Sequence, residues 1–215
     1  STARPWRAVA LAALALSPLR GADDAAVPVA SAETPEAAGM VDARARVAGL
    51  DIDIRYAGDD NFVGTRVDGY ESARCYLKVP AAAALARAEQ ALRADGLRLR
   101  VYDCYRPVRA VRHFMRWAAD LADQRTKAAH YPNLDKRELL GDYIAPTSGH
   151  SRGATLDVTL LRCDADRCQP LDMGTDYDFF DPRAHTGSPA VTPEQRGNRE
   201  RLRAAMAAAG FRNYP

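Results

Sequence analysis

The stretch from Ser148 to Asp157 holds the residues best suited to chemistry, a histidine and an aspartate seven positions apart. Gly153 lies between them, and glycine tolerates the positive φ that lets a chain turn back, so the imidazole of His150 can approach the carboxylate of Asp157. Neutral imidazole and carboxylate are ligands of catalytic zinc, which takes three protein groups and keeps one position open for water. The spacing therefore indicates part of a zinc site. A hydrogen-bonded surface pair is the alternative.

The residues after this turn predict a strand that begins at Ala154 and lies centrally in a sheet. Apolar residues alternate with polar ones over 154–160, which is typical of a strand with one face in a core. Asp157 falls on the polar face. We therefore expect its carboxylate to point away from the apolar side chains.

This stretch resembles the S-x-H-x-x-G-x-A-x-D signature of the zinc D-alanyl-D-alanine dipeptidases (VanX-like peptidases), and differs from it at Thr155, where the signature has alanine. The resemblance extends in order over roughly residues 50–215. It includes seven further segments, namely 53–57, 60–62, 74–77, 102–107, 172–174, 178–179 and 210–214.

The resemblance implies a zinc peptidase of α+β class, with helices packed on a mainly antiparallel central sheet, that hydrolyses D-alanyl-D-alanine. One zinc ion per chain would be held by His150 and Asp157. Arg106 matches the family's catalytic arginine, and Ser148 and Asp178 match residues that bind the substrate's free amino terminus.

Two of these assignments keep alternatives. Arg106 precedes Pro107, which favours an extended backbone, and a structural salt bridge to Asp103 is the other interpretation. The alignment at Asp178 can slip to Asp176.

The family's remaining zinc histidine and its general base lie in a Glu-Trp-Trp-His segment just after the Gly-Phe-x-x-Tyr stretch, whereas this sequence ends at Pro215. We therefore expect the domain to be incomplete at its C-terminus and residues 1–215 alone to be inactive. His185 is a weaker candidate for the third ligand, and a loop histidine is the simpler interpretation. Two other functions stay open: a D,D-carboxypeptidase that trims peptidoglycan stems, and a non-catalytic cell-wall-binding domain.

Composition favours one globular domain over 41–215, preceded by a signal-like segment and flexible lead-in over 1–40. Arg4 and Arg7 precede an apolar run of about nine residues. This run is shorter than the stretch of about 20 residues that a helix needs to span a bilayer, but it is typical of a secretory signal. We expect a periplasmic or secreted protein without stable membrane insertion, or a cytoplasmic one if this segment is not a signal. The net charge of +2 comes without long runs of like charge, so we expect no nucleic-acid partner.

The four cysteines favour disulfides, as in exported proteins. Cys163 and Cys168 bracket a polar loop, and Cys75 and Cys104 lie in strand-like segments that can pair across a sheet. Free thiols and a cysteine zinc site are the alternatives, although the C-x-x-C spacing is absent.

Periodicity predicts the elements around the site. Residues 79–95 predict a helix with Pro80 in its first turn, and 97–106 predict a strand that leads into Arg106. A second helix is expected from Pro107 to Leu121. A third should begin at Thr192, which has the form of a capping box.

Overall fold

We describe a computed structural model that covers residues 32–164 and 167–214. The signal-like segment and most of the lead-in, residues 1–31, lie outside the described residues. The helices and strands, in chain order, are β1 (Met40–Asp42), β2 (Asp51–Ile52), β3 (Tyr76–Lys78), α1 (Val79–Arg93), β4 (Leu97–Asp103), α2 (Val108–Ala119), α3 (Lys127–His130), β5 (Asp157–Asp164), β6 (Arg167–Pro170) and α4 (Pro193–Ala208).

The main sheet has the order β2-β4-β5-β6. Strands β4, β5 and β6 pair antiparallel, and β2 pairs parallel to β4. A separate two-stranded sheet joins β1 to β3. Helix α1 packs on β4 and on α4, and α4 also contacts β5. This confirms the predicted α+β class with a mainly antiparallel sheet in which β5 is central.

Local signals account for the helix boundaries. Pro80 lies in the first turn of α1, and Gly96, at φ 68°, follows the helix and lets the chain enter β4. The side chain of Thr192 accepts a hydrogen bond from the Gln195 backbone, and the Gln195 side chain accepts one from Thr192, which completes the predicted capping box of α4.

Four predicted boundaries are wrong. Helix α1 ends at Arg93 and not at residue 95, and strand β4 ends at Asp103 and not at residue 106. Strand β5 begins at Asp157 and not at Ala154, because its partner β4 ends at Asp103, which pairs with Asp157, so the preceding residues have no strand to bond. Helix α2 ends at Ala119, and Leu121 lies beyond it with 38% of its surface exposed.

Both predicted disulfides form. Cys75 bonds Cys104, between the residue before β3 and the residue after β4, and Cys163 bonds Cys168 within the β5–β6 hairpin. Within 32–164 and 167–214, no helix combines the length and apolar character needed to cross a bilayer.

An aromatic cluster fills the core beneath the end of β4. Phe62 contacts the rings of Phe114, Trp117 and Phe180 at centroid distances of 4.7, 5.0 and 5.1 Å. Tyr56 packs against Phe114 at 5.0 Å. The polar groups of the candidate site pack against these rings.

Candidate active site

The turn that carries His150 is held at three points. The Ser148 hydroxyl accepts a hydrogen bond from the backbone N–H of His150 at 3.2 Å. Gly153 ends the 3₁₀ turn at φ 72°, and a side chain there would also come within 2.8 Å of Met40. The backbone N–H of Lys78 in β3 donates to the carbonyl of Gly153 at 2.7 Å. The glycine is therefore favoured chiefly by its backbone angle, since the flexible end of Met40 could move away from a side chain at this position.

His150 and Asp157 meet as predicted. Nε2 of His150 lies 3.3 Å from Oδ1 of Asp157. On the other side of the ring, Nδ1 lies 2.9 Å from the carbonyl oxygen of Cys104. A carbonyl only accepts, so Nδ1 carries a proton, and in the neutral ring Nε2 presents its lone pair toward Asp157. This donor set, an imidazole nitrogen beside a carboxylate, fits a zinc ion.

The pair is electrostatically coupled. Burial by itself would lower the pKa of His150, but the carboxylates of Asp157 and Asp103 outweigh it and raise that pKa above its ordinary value. Burial would raise the pKa of Asp157, but His150 and then Arg106 lower it. Without a metal, the two side chains therefore favour an imidazolium–carboxylate pair.

Asp103 is a third acidic group in this cluster. Asp103, His150 and Asp157 each offer one ligand atom, and these atoms lie within 4.8 Å of one another. Asp103 nevertheless faces the Nδ1 side of the ring, with Oδ2 at 3.3 Å. Its Oδ1 accepts hydrogen bonds from the Tyr70 hydroxyl at 2.6 Å and the Cys104 N–H at 2.9 Å. We therefore assign Asp103 to orienting His150 and not to the metal.

Arg106 lies where Asp103 and Asp157 converge. Its Nε and Nη2 donate to Oδ2 of Asp103 at 3.0 and 2.8 Å, so the alternative salt bridge is present. Nη2 also lies 3.8 Å from Oδ2 of Asp157. The guanidinium packs over the rings of Tyr56 and Phe114, at 5.3 and 5.0 Å from their centroids. The ion pair and these aromatic rings thus hold a cation beside the carboxylate of Asp157.

Asp178 occupies the same site, and Asp176 is exposed. The Tyr56 hydroxyl donates to both carboxylate oxygens of Asp178, at 3.1 and 2.9 Å. Burial and then the charge of Asp157 raise the pKa of Asp178 to about 8. Its backbone is left-handed, at φ 55°, and among the described residues no other non-glycine residue has a positive φ. Aspartate tolerates this backbone conformation better than most non-glycine residues, so the turn can carry a carboxylate at this position.

His130 and Tyr177 support these acids from neighbouring segments. The His130 ring donates from Nδ1 to the carbonyl of Asp178 at 3.0 Å. The Tyr177 hydroxyl donates to Oδ2 of Asp157 at 3.1 Å, and its ring stacks on Tyr102 at 4.6 Å. Neither His130 nor Tyr177 was predicted from the sequence to have a role.

The site thus gathers Arg106, Ser148, His150, Asp157 and Asp178 from three segments of the chain. His185 does not join them, since its ring packs near Tyr143 and its carbonyl accepts a hydrogen bond from Arg199 at 2.7 Å. The supporting roles of Tyr56 and Tyr177 were not predicted, and Asp103 was predicted only as a salt-bridge partner of Arg106. Tyr56 and Asp103 lie in segments that matched the family pattern, and Tyr177 adjoins Asp178, so those segments carried the available signal.

Comparisons with known proteins give matches over most of the chain. The family model described as D-ala-D-ala dipeptidase matches residues 36–215. The D-alanyl-D-alanine dipeptidase of Enterococcus faecium is 40% identical over 169 residues, which cover 78% of this chain and 83% of that protein. The protein of the same name from Streptomyces coelicolor is 42% identical with the same coverage. The Escherichia coli protein is 33% identical over 172 residues, 80% of this chain and 78% of its own.

Proposed function

Because this chain belongs to the D-ala-D-ala dipeptidase family, we propose that it hydrolyses the dipeptide D-alanyl-D-alanine with one zinc ion held by His150 and Asp157. The observation that carries the proposal is the meeting of this ligand pair with a fixed cation. Asp157 lies 3.3 Å from His150 through one oxygen and 3.8 Å from Arg106 through the other. Zinc, when bound, supplies a Lewis acid that lowers the pKa of the water it binds to about 7.

Arg106 stabilises the negative charge that develops on the scissile carbonyl oxygen. Its side chain is only 14% exposed and is already held by Asp103, so little reorganisation is needed as the charge appears. Burial by itself would lower the pKa of Arg106, but Asp103 and the surrounding tyrosines raise it well above its usual value. The residue therefore stays cationic throughout the reaction.

Asp178 binds the ammonium group of the dipeptide, and Ser148 assists it. The pKa of Asp178 in the free protein is about 8, and the positive charge of the bound ammonium favours the ionised carboxylate. A carboxylate that Tyr56 holds at two oxygens is a fixed acceptor for a free amino terminus. A blocked amino terminus has no charge to offer and would leave Asp178 desolvated without a partner. Specificity for dipeptides over longer peptides follows from this requirement.

We propose further that zinc in this site takes a third protein ligand besides His150 and Asp157, and that a carboxylate acts as the general base. His150 and Asp157 are two of the usual three zinc ligands. The paired cysteines support a periplasmic or secreted location. A small dipeptide is the only partner we propose, without nucleic acid and without stable membrane insertion.

The test is a comparison of substrates with full-length protein and added zinc. D-alanyl-D-alanine should release D-alanine, while N-acetyl-D-alanyl-D-alanine should react at least about a hundredfold more slowly. Equal hydrolysis of the acetylated dipeptide would indicate a carboxypeptidase. Binding of cell-wall fragments without any hydrolysis would indicate a non-catalytic domain.

A further inference from the structure

The Cys75–Cys104 disulfide joins the two sheets next to the carbonyl of Cys104, which accepts a hydrogen bond from Nδ1 of His150. Cys75 directly precedes β3, in the small sheet, and Cys104 directly follows β4, in the main sheet. Both residues are buried. The bridge therefore restrains the peptide whose carbonyl accepts the proton of His150.

Strand β3 restrains both partners of this hydrogen bond. On the side of the carbonyl, Tyr105 donates its backbone N–H to the carbonyl of Tyr76 at 3.1 Å, next to the disulfide. On the side of the imidazole, Lys78 donates to Gly153 at 2.7 Å, at the end of the turn that carries His150. A single short strand thus sets the separation between the Cys104 carbonyl and the His150 ring.

Only hydrogen bonds hold this carbonyl besides the disulfide. The β4–β5 ladder ends at Asp103, so Cys104 has left the sheet. Its own N–H donates to Oδ1 of Asp103 at 2.9 Å, and the backbone N–H of Arg106 donates to the carbonyl of His150 at 3.3 Å. Without the disulfide, these bonds and the bond from Tyr105 to Tyr76 would remain, but the covalent link would be lost and the carbonyl would gain freedom to move away from Nδ1.

We propose that the Cys75–Cys104 disulfide is a positioning element for metal binding, which acts by holding the Cys104 carbonyl so that this carbonyl, together with Asp103, keeps the proton of His150 on Nδ1 and leaves Nε2 free to bind the metal. The inference rests on the proposed zinc site at His150 and Asp157. Partners of this kind fix the tautomer and orientation of a ligating histidine, and their loss typically weakens metal affinity about 10- to 100-fold.

The chain supplies a matched control in its second disulfide. Cys163 and Cys168 close a hairpin six residues along β5 from Asp157, which is about 20 Å at the rise of a strand. The bridge between them contacts neither His150 nor Cys104 through any hydrogen bond in the described residues. Removing this disulfide breaks a covalent link but leaves the contacts between Cys75, Cys104 and His150 unchanged.

The experiment compares full-length Cys75→Ala/Cys104→Ala and Cys163→Ala/Cys168→Ala proteins with wild type. Zinc dissociation constants are measured at pH 7 by competition with a chromophoric chelator, at a temperature where circular dichroism shows all three folded. We expect about a tenfold weaker zinc affinity in the first variant and less than a twofold change in the second. Equal losses in both variants, or no loss in the first, would overturn the proposal.

A second readout needs no metal. In metal-free protein with ¹⁵N-labelled histidines, at alkaline pH where the ring is neutral, the His150 proton should lie on Nδ1 in wild type and shift toward Nε2 in Cys75→Ala/Cys104→Ala. If wild type binds no zinc but this shift occurs, the proposed metal site fails while the positioning role stands. If the first variant is unfolded even at low temperature, the disulfide stabilises the whole fold and the specific role is rejected.

Discussion

Replacing Asp178 by asparagine should change how the stability of the metal-free protein depends on pH. The structure holds this carboxyl in a buried site near Asp157, which raises its pKa from 3.8 to about 8. Between these values the folded protein binds a proton that the unfolded chain releases. Stability should therefore fall as pH rises from about 4 to about 8, and the full penalty should be present above the folded pKa.

The size of this effect follows from the shift. Each pKa unit corresponds to about 1.4 kcal/mol, so the complete difference would be about 6 kcal/mol. This is an upper limit, because part of the carboxyl contacts solvent and a charged site relaxes as if its dielectric constant were about 20. We expect about 1 to 2 kcal/mol of the effect to appear between pH 5.5 and 8.5. Asparagine mimics the protonated acid, still accepts from Tyr56 and carries no such pH dependence.

The assay is urea unfolding in the presence of a chelator at pH 5.5 and 8.5. Relative to wild type, Asp178→Asn should be more stable at pH 8.5 than at pH 5.5 by about 1 to 2 kcal/mol. Asp176→Asn is the matched control, since this nearby acid is exposed, and it should show no such difference. Identical pH dependence in wild type and Asp178→Asn would refute the raised pKa of this buried carboxyl. In a parallel series without chelator, added zinc should weaken the dependence of the unfolding free energy on pH, because the charge of the ion offsets that of Asp157.

Three further variants test the site in full-length protein. Asp157→Asn should lose most of its zinc, as measured by elemental analysis, because an open site has only three protein ligands; an unchanged zinc content would reject the ligand. Arg106→Ala should lower kcat at least about a hundredfold while zinc stays bound. It should also destabilise the fold by about 3 to 5 kcal/mol, because the buried carboxylate of Asp103 loses its partner. Activity within about threefold of wild type would show that the arginine is purely structural. Tyr177→Phe keeps the ring that stacks on Tyr102 but removes the bond to Asp157, so zinc affinity measured by chelator competition should fall about tenfold, and an unchanged affinity would remove the hydroxyl from the site.

Elements governed by local chemistry were predictable from the sequence. The capping box at Thr192 involves groups three residues apart, and it formed as expected. The start of β5 was not predictable in this way, because alternation at Ala154 describes only side-chain polarity. The strand begins where β4 provides a partner for Asp157, and that depends on the assembled sheet.

The candidate site divides along the same line. His150 and Asp157 were found because one turn brings them together, and the structure places them 3.3 Å apart. The bonds that orient them join distant segments: Cys104 reaches His150 across 46 positions, and His130 reaches Asp178 across 48. Such long-range contacts produce no periodicity or short spacing in the sequence. The residues that make them therefore could not be assigned a role from their types alone.

The central claim, that His150 and Asp157 hold the catalytic metal, is tested most directly by anomalous diffraction at the zinc edge from crystals of full-length protein. We expect one anomalous peak per chain, from a zinc ion bonded to Nε2 of His150 and to the carboxylate of Asp157. A peak coordinated by Nδ1 of His150 and Asp103, or a protein that hydrolyses D-alanyl-D-alanine with no metal between His150 and Asp157, would contradict it.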